Sequence, residues 1–108
     1  MKILNIGLLG LAAVSLLSAP RAKAATGKSI FEEKCISCHG KNGLGQTPAG
    51  KALGVRDFNS EEVQKQSDAE LATAIKKGKG KMRAFEGDLS NHDIQLVTAY
   101  VRTFAKGK

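Results

Sequence analysis

The 108 residues include no tryptophan, one tyrosine, two prolines, two cysteines (Cys35, Cys38) and two histidines (His39, His92). Each scarcity excludes something. Structural zinc wants four ligands, and Cys38 and His39 are adjacent, which makes it awkward for both to bind one tetrahedral ion. A disulfide framework is out of reach, because a Cys35–Cys38 bridge closes too small a loop to act as a staple. A thioredoxin-like redox pair needs a strand–helix context, and no strand signal lies near these cysteines. No strand, internal repeat or low-complexity segment is visible anywhere, so the class is all-α. No catalytic base, nucleophile or substrate pocket stands out, and the chain does not read as an enzyme. Four phenylalanines (31, 58, 85 and 104) and Tyr100 make a thin core for a domain this small.

The one long apolar run is N-terminal. Met1-Lys2 is followed by Ile3 to Leu17, interrupted only by Asn5 and Ser15, and then by Ala22-Lys23-Ala24. This is the pattern of a secretory signal with an A-x-A cleavage site. It predicts removal of residues 1–24 and a mature domain of residues 25–108. The run is shorter than the ~20 residues that a membrane-spanning helix needs. No cysteine follows it to carry lipid, and no twin-arginine pair precedes it. The expected destination is the periplasm, through the general secretory route. Cleavage removes Lys2, Arg21 and Lys23 from the 17 basic residues and none of the 10 acids, so the net charge falls from +7 to +4.

What the mature chain does have is Cys35-Ile36-Ser37-Cys38-His39. C-x-x-C-H reads as a covalent attachment site for c-type haem. Two thiols add to the two vinyl groups of one porphyrin. Residues three apart on a helix share a face, so both sulfurs can reach one porphyrin edge. His39 then turns its imidazole under the ring to bind iron. Phe31, four residues before Cys35, belongs to the same stripe and is expected near the haem edge. A buried haem also supplies the apolar volume that the aromatic residues do not.

The rest of the chain is laid out as helices and loops. Thr26 caps a first helix from about Gly27 to Cys38, with Glu32 and Glu33 near its positive end, and Gly40 stops it. Gly40 to Gly54 reads as a loop that wraps the His39 side of the haem, with glycines where backbones come close. Ser60 caps a short helix after Phe58. Ser67-Asp68-Ala69-Glu70 is a capping box that opens a helix to Lys77, and Gly78 ends it. Gly78 to Phe85 is a second loop. Ser90 and Asp93 start a last helix from about Asn91 to Ala105, with Ile94, Val97, Val101 and Phe104 at helical spacing.

Haem iron needs a sixth ligand or an open position. Met82 is the one methionine left after processing, and it sits among glycines and charges in the second loop. That is a poor setting for core filler, so Met82 is the expected axial ligand. His92 is the competitor. Lys79 and Lys81 bind iron only when deprotonated, so they are candidates for ligand exchange at high pH.

These residues together resemble a small monohaem class I cytochrome c over essentially the whole mature chain. The resemblance is carried by Phe31, Cys35 to Gly40, Gly43, Gly45, Gly78 to Phe85 with Met82, Leu89-Ser90, Asp93-Ile94 and Tyr100-Val101-Arg102. It implies three to five helices wrapped around one covalently bound haem c. It implies covalent thioethers at Cys35 and Cys38, and axial iron ligands at His39 and Met82. It implies that the first and last helices cross, with Gly27 and Phe31 against Val97 and Tyr100. It also implies that the Pro48 carbonyl receives the His39 ring N–H. The family usually has proline directly after the axial methionine, whereas Arg83 stands here. Nor is there a tryptophan to hold a haem propionate, which leaves Arg56 and Lys51 as the basic residues open to that role.

The function read from this is a soluble periplasmic electron carrier that shuttles single electrons. His/Met ligation favours the ferrous state and raises the reduction potential. The alternatives are a haem domain of a larger oxidase or dehydrogenase complex, or a haem enzyme or sensor if Met82 does not bind iron. Lys76, Lys77, Lys79, Lys81 and Arg83 fall within eight residues with no acid among them. That run predicts redox partners with an acidic docking patch, membrane-bound oxidase or reductase complexes met transiently included. Nucleic acid is not an expected partner, and the carrier is expected to be a monomer.

Overall fold

The computed structural model describes residues 24–107. The expected signal segment lies outside the described residues except for Ala24, which is exposed and not helical. Six α-helices follow in order: α1 Gly27–Lys34, α2 Ile36–His39, α3 Pro48–Leu53, α4 Glu61–Gln64, α5 Asp68–Lys77 and α6 Asn91–Arg102. A 3₁₀ turn, Thr103–Gly107, ends the described chain. The β pairing among the described residues is one isolated bridge, between Lys79 and Met82. The all-α class holds.

Local chemistry sets the helix starts. Thr26, Ser60, Ser67 and Ser90 each accept a hydrogen bond at Oγ from the amide three residues on. Such a side chain satisfies one of the orphan donors of a first turn. The Ser67 box is reciprocal: Ser67 N–H donates to Glu70 Oε1 at 2.8 Å and Glu70 N–H donates to Ser67 Oγ at 3.0 Å. The helix stops follow the glycines, with Gly40 at φ 78°, Gly54 at 69° and Gly78 at 84°.

Two boundaries differ from the sequence reading. The first helix is broken at Cys35, whose φ of −118° leaves the helical range, so α1 stops at Lys34 and α2 restarts at Ile36. Glu32 and Glu33, the sixth and seventh residues of α1, sit beyond its first turn, which carries no acid. The segment read as loop between Gly40 and Gly54 contains α3. Thr47 caps it, Pro48 occupies its first turn, and Gly54 closes it in the left-handed conformation. Proline at the start and glycine past the end favour a short helix as readily as they interrupt a long one.

The core sits where α1 crosses α6, the most extensive packing between elements. Gly27 permits the approach: a Cβ there would meet the Leu96 carbonyl and lie 3.0 Å from Tyr100 Cβ. Phe31 and Val97, each 1% exposed, lie at the centre. Fully burying a side chain of this size contributes about 1.5–3 kcal/mol. Around Phe31, the rings of Tyr100, Phe104 and Phe58 stand 5.3, 5.4 and 6.1 Å away in tilted arrangements. Phe31 is therefore the hub of the aromatic core. Thr98 is buried, and its hydroxyl donates to Ile94 O at 2.7 Å.

Arg102 ties the end of α6 to the α4–α5 connection. Nε donates to Asp68 Oδ1 at 2.8 Å, Nη1 to Gln64 O at 2.9 Å, and Nη2 to Gln66 O. Gln64 in turn donates to Phe58 O at 2.7 Å. The end of α6 is thus tied through Gln64 to Phe58, and Phe58 meets the site.

Candidate haem site

The cysteine motif is one wound turn. Cys35 N–H donates to Phe31 O at 2.9 Å, so the motif hangs directly from the core residue. Cys35 O then accepts from Cys38 N at 3.3 Å and His39 N at 3.0 Å. Both thiols are free and half-buried. Burial pushes the Cys35 thiol up to about 11, although the charges of Lys34 and Arg83 pull it down. At neutral pH it is a protonated thiol. The depressed pKa that marks a thiolate nucleophile or a redox pair is absent from Cys35.

His39 closes the turn. Its ring stacks on Phe58, with centroids 4.4 Å apart and planes 23° apart. Burial lowers its pKa, so the imidazole is neutral at neutral pH. Nδ1 is buried and has no hydrogen-bond partner. The Pro48 carbonyl does not receive it, contrary to the expectation from the resemblance. Pro48 opens α3, where a carbonyl lies along the helix axis and serves the amide four residues on.

A backbone clasp holds this side. Gly45 N–H donates to His39 O at 2.8 Å. The Thr47 hydroxyl donates to Ser37 O at 2.7 Å and accepts from Gly50 N–H at 2.8 Å. Gly50 is buried, and a Cβ there would run into the carbonyls of Cys38 and Gly45. Two glycines of the segment sit where backbones touch, Gly50 as just described and Gly45, whose Cβ would lie 2.9 Å from the Val55 carbonyl oxygen, whereas Gly43 faces the Phe104 ring and Gly54 open space.

The Met82 segment is held differently. Lys79 and Met82 exchange backbone hydrogen bonds of 3.1 and 2.9 Å across a two-residue turn, with Gly80 at φ 59°. Phe85 N–H donates to Ile75 O at 3.0 Å, which ties the far end of the loop to α5. Met82 is half-buried against the same core cluster as Cys35, Ile36, Phe58 and Ile75. The two ends of the predicted site, Cys35 and Met82, therefore pack against one apolar cluster.

Other candidates fall away from it. His92 is exposed in the first turn of α6. Lys79 and Lys81 are exposed on the loop. Arg56 pairs with Glu62 at 3.3 Å. Sequence reasoning missed Phe58 against His39, a contact across nineteen positions with no local signal. It also missed the Thr47 clasp, for which Thr-Pro ahead of a helix was the available clue.

The donor set fits a c-type haem. Two thiols stand one turn apart, a neutral half-buried imidazole lies beside them without a partner on Nδ1, and a thioether packs on the same cluster. The chain belongs to the cytochrome c family, as a small class I monohaem member that carries one haem c with its iron. Residues 22–101 match the family model described as cytochrome C oxidase, cbb3-type, subunit III. The chain is 34% identical to cytochrome c6 of Picosynechococcus sp., over 93% of this chain and 91% of that protein. It is 35% identical to the cbb3-type cytochrome c oxidase subunit FixP of Bradyrhizobium diazoefficiens, over 87% of this chain but 33% of that longer protein. Among solved structures, the KustC0563 c-type cytochrome superposes with a TM-score of 0.69 at 30% identity, over 74% of this chain and 98% of that one.

Proposed function

We propose that the mature chain is a soluble periplasmic carrier of single electrons, with thioethers at Cys35 and Cys38 and axial ligands at His39 and Met82. The observation that carries this is the joint packing of Cys35 and Met82 on one cluster, beside a neutral His39 held by Phe58. Bound haem supplies an iron that cycles between the ferric and ferrous states.

The chain's own residues do the rest. Phe58 fixes the plane of the His39 ring. Burial keeps that ring unprotonated, with a lone pair free for the metal. The Lys79–Met82 bridge and the Phe85 anchor hold the Met82 backbone, so the thioether is presented without a large rearrangement. Side chains held in this way would keep their places around a bound haem, so little reorganisation would accompany electron transfer. Residues 1–24 act as the export signal, and the exposed, non-helical Ala24-Ala25 step is accessible to a peptidase.

Partners are met through the loop. Of the five basic residues in the run, Lys77 pairs with Glu86 at 3.3 Å and Arg83 with Asp88 at 2.8 Å. Lys79 and Lys81 enter no ion pair among the described residues, and they carry the expected attraction to an acidic patch. Steering of this kind speeds encounter more than it tightens binding, which suits a carrier that must release its partner.

A second reading, a haem domain within an oxidase complex, draws on the cbb3-type family model and on FixP. Among the described residues no helix is long and apolar enough to cross a membrane. Purification from the periplasm separates the two. The carrier reading expects a free protein with the mass of the polypeptide from Ala25 plus one haem, and a ferrous spectrum that carbon monoxide leaves unchanged. Stable recovery with a large partner supports the oxidase reading. A carbon monoxide adduct in the parent protein contradicts closed His/Met ligation.

A further inference from the structure

The family's usual proline after the axial methionine fixes φ and stiffens the loop. Here Arg83 occupies that place, and its side chain is not idle. The guanidinium carbon lies 3.9 Å from the centroid of the Phe85 ring. Nη2 donates to Asp88 Oδ2 at 2.8 Å, and Nη1 donates to Ala84 O at 3.2 Å. Both side-chain partners are themselves anchored. Phe85 is buried, and its N–H is held by Ile75 of α5. Asp88 lies in the turn that leads to α6, where the amides of Asp88 and Leu89 donate to Phe85 O at 2.9 and 2.8 Å.

We propose that Arg83 is a positioning residue, a side-chain clamp that pins the Met82 segment to the Phe85 ring and the Asp88 turn and so replaces the restraint a proline would give. The clamp acts on the stretch the backbone leaves free: the N–H groups of Arg83 and Ala84 donate to no backbone carbonyl among the described residues. A planar guanidinium suits the task, because one rigid group stacks on an aromatic face and meets a carboxylate at once. An isolated exposed ion pair contributes little. Here the pair is joined to a stacked ring and restrains a single residue next to Met82.

Such a clamp differs from proline in one respect that can be measured. Its ionic half is screened by salt, whereas a fixed φ is not. Because the N–H of Arg83 donates to no backbone carbonyl, Arg83→Pro removes no backbone hydrogen bond. This inference rests on Met82 as the axial ligand, and the test separates the two.

The holoprotein is compared with Arg83→Ala, Arg83→Pro and Met82→Ala variants. The first readout is amide hydrogen exchange at Lys79 and Met82. The second is the rate at which imidazole displaces the Met82 sulfur from ferric iron, followed by the weak long-wavelength sulfur-to-iron band. Arg83→Ala should raise both rates roughly three- to tenfold, the range expected for losing one cation–π contact and one exposed pair. Arg83→Pro should match or fall below the parent. Salt at about 1 M should move the parent toward the alanine variant and leave the proline variant unmoved. Parent-like rates in Arg83→Ala at low salt overturn the clamp, as does a proline variant as loose as alanine. If Met82→Ala keeps the sulfur-to-iron band, the ligand reading is what fails, and amide exchange still reports on the clamp.

Discussion

The His39 side and the Met82 side of the site are held by different physics. On the His39 side, backbone touches backbone. Gly45 bonds to the His39 carbonyl, Thr47 bridges to Ser37, and Gly50 lies against Cys38 with no room for a Cβ. These contacts are neutral and tightly packed. On the Met82 side, a two-residue turn and a pair of exposed ion pairs hold the loop, Arg83 with Asp88 and Lys77 with Glu86. Phe85 and Leu89 give that side its buried anchors. The proposed ligand His39 is thus built into the scaffold, while the proposed ligand Met82 is carried on a restrained but more exposed strap. Conditions that act on charge should act on one side and spare the other.

The largest expected effect breaks the floor that both sides share. Phe31→Ala removes the hub of the aromatic cluster and should cost about 3–5 kcal/mol of stability, read from denaturant unfolding. Next comes the His39 side alone. Gly50→Ala forces a methyl group into two carbonyls and should cost about 1–3 kcal/mol, by the same amount in low and high salt. A cost that shrinks with salt would erase the contrast between the two sides.

A smaller effect sharpens the contrast from the other direction. The Arg83 guanidinium holds the Asp88 carboxyl below its ordinary value, and the Ser67 cap does the same for Glu70 at the start of α5. A carboxylate with a lowered pKa contributes stability above its unfolded pKa and loses it as pH falls through the folded one. In the holoprotein, where the proposed bond to iron keeps His39 from taking up a proton, the Met82 loop should therefore loosen first as pH drops below the ordinary carboxylate range, before the clasp around His39 responds. Amide exchange against pH reads this, and Asp88→Asn should abolish the loop's share. The smallest effect on the protein itself is that of Lys79→Glu with Lys81→Glu. Stability and haem spectrum should stay as they are, while the rate with an acidic partner falls and becomes less sensitive to salt.

How much of this was legible depends on the range of each interaction. Caps are local, so Thr26, Ser60, Ser67 and Ser90 announced their helices within four residues. The Cys-x-x-Cys-His motif is local too, and it forms one turn hung from Phe31. The break at Cys35 was not legible, because continuous helical spacing gives no sign of a joint. Helix α3 was read as loop because Pro48, Gly50 and Gly54 each weaken a helix taken singly, whereas in place they start it, pack it and end it. Phe58 on His39 and Asp88 on Arg83 depend on where the chain returns. The basic run looked uniform in sequence, yet the turn after Phe85 folds Glu86 and Asp88 back onto two of its five members and leaves Lys79 and Lys81 to face solvent.

Met82 as the second iron ligand is tested by the absorption spectrum of the ferric holoprotein beside that of Met82→Ala. A weak long-wavelength sulfur-to-iron band is expected in the parent and its loss in the variant, together with a lower reduction potential, while the covalent haem is retained. A variant whose spectrum and potential match the parent would contradict it and would make Met82 a packing residue.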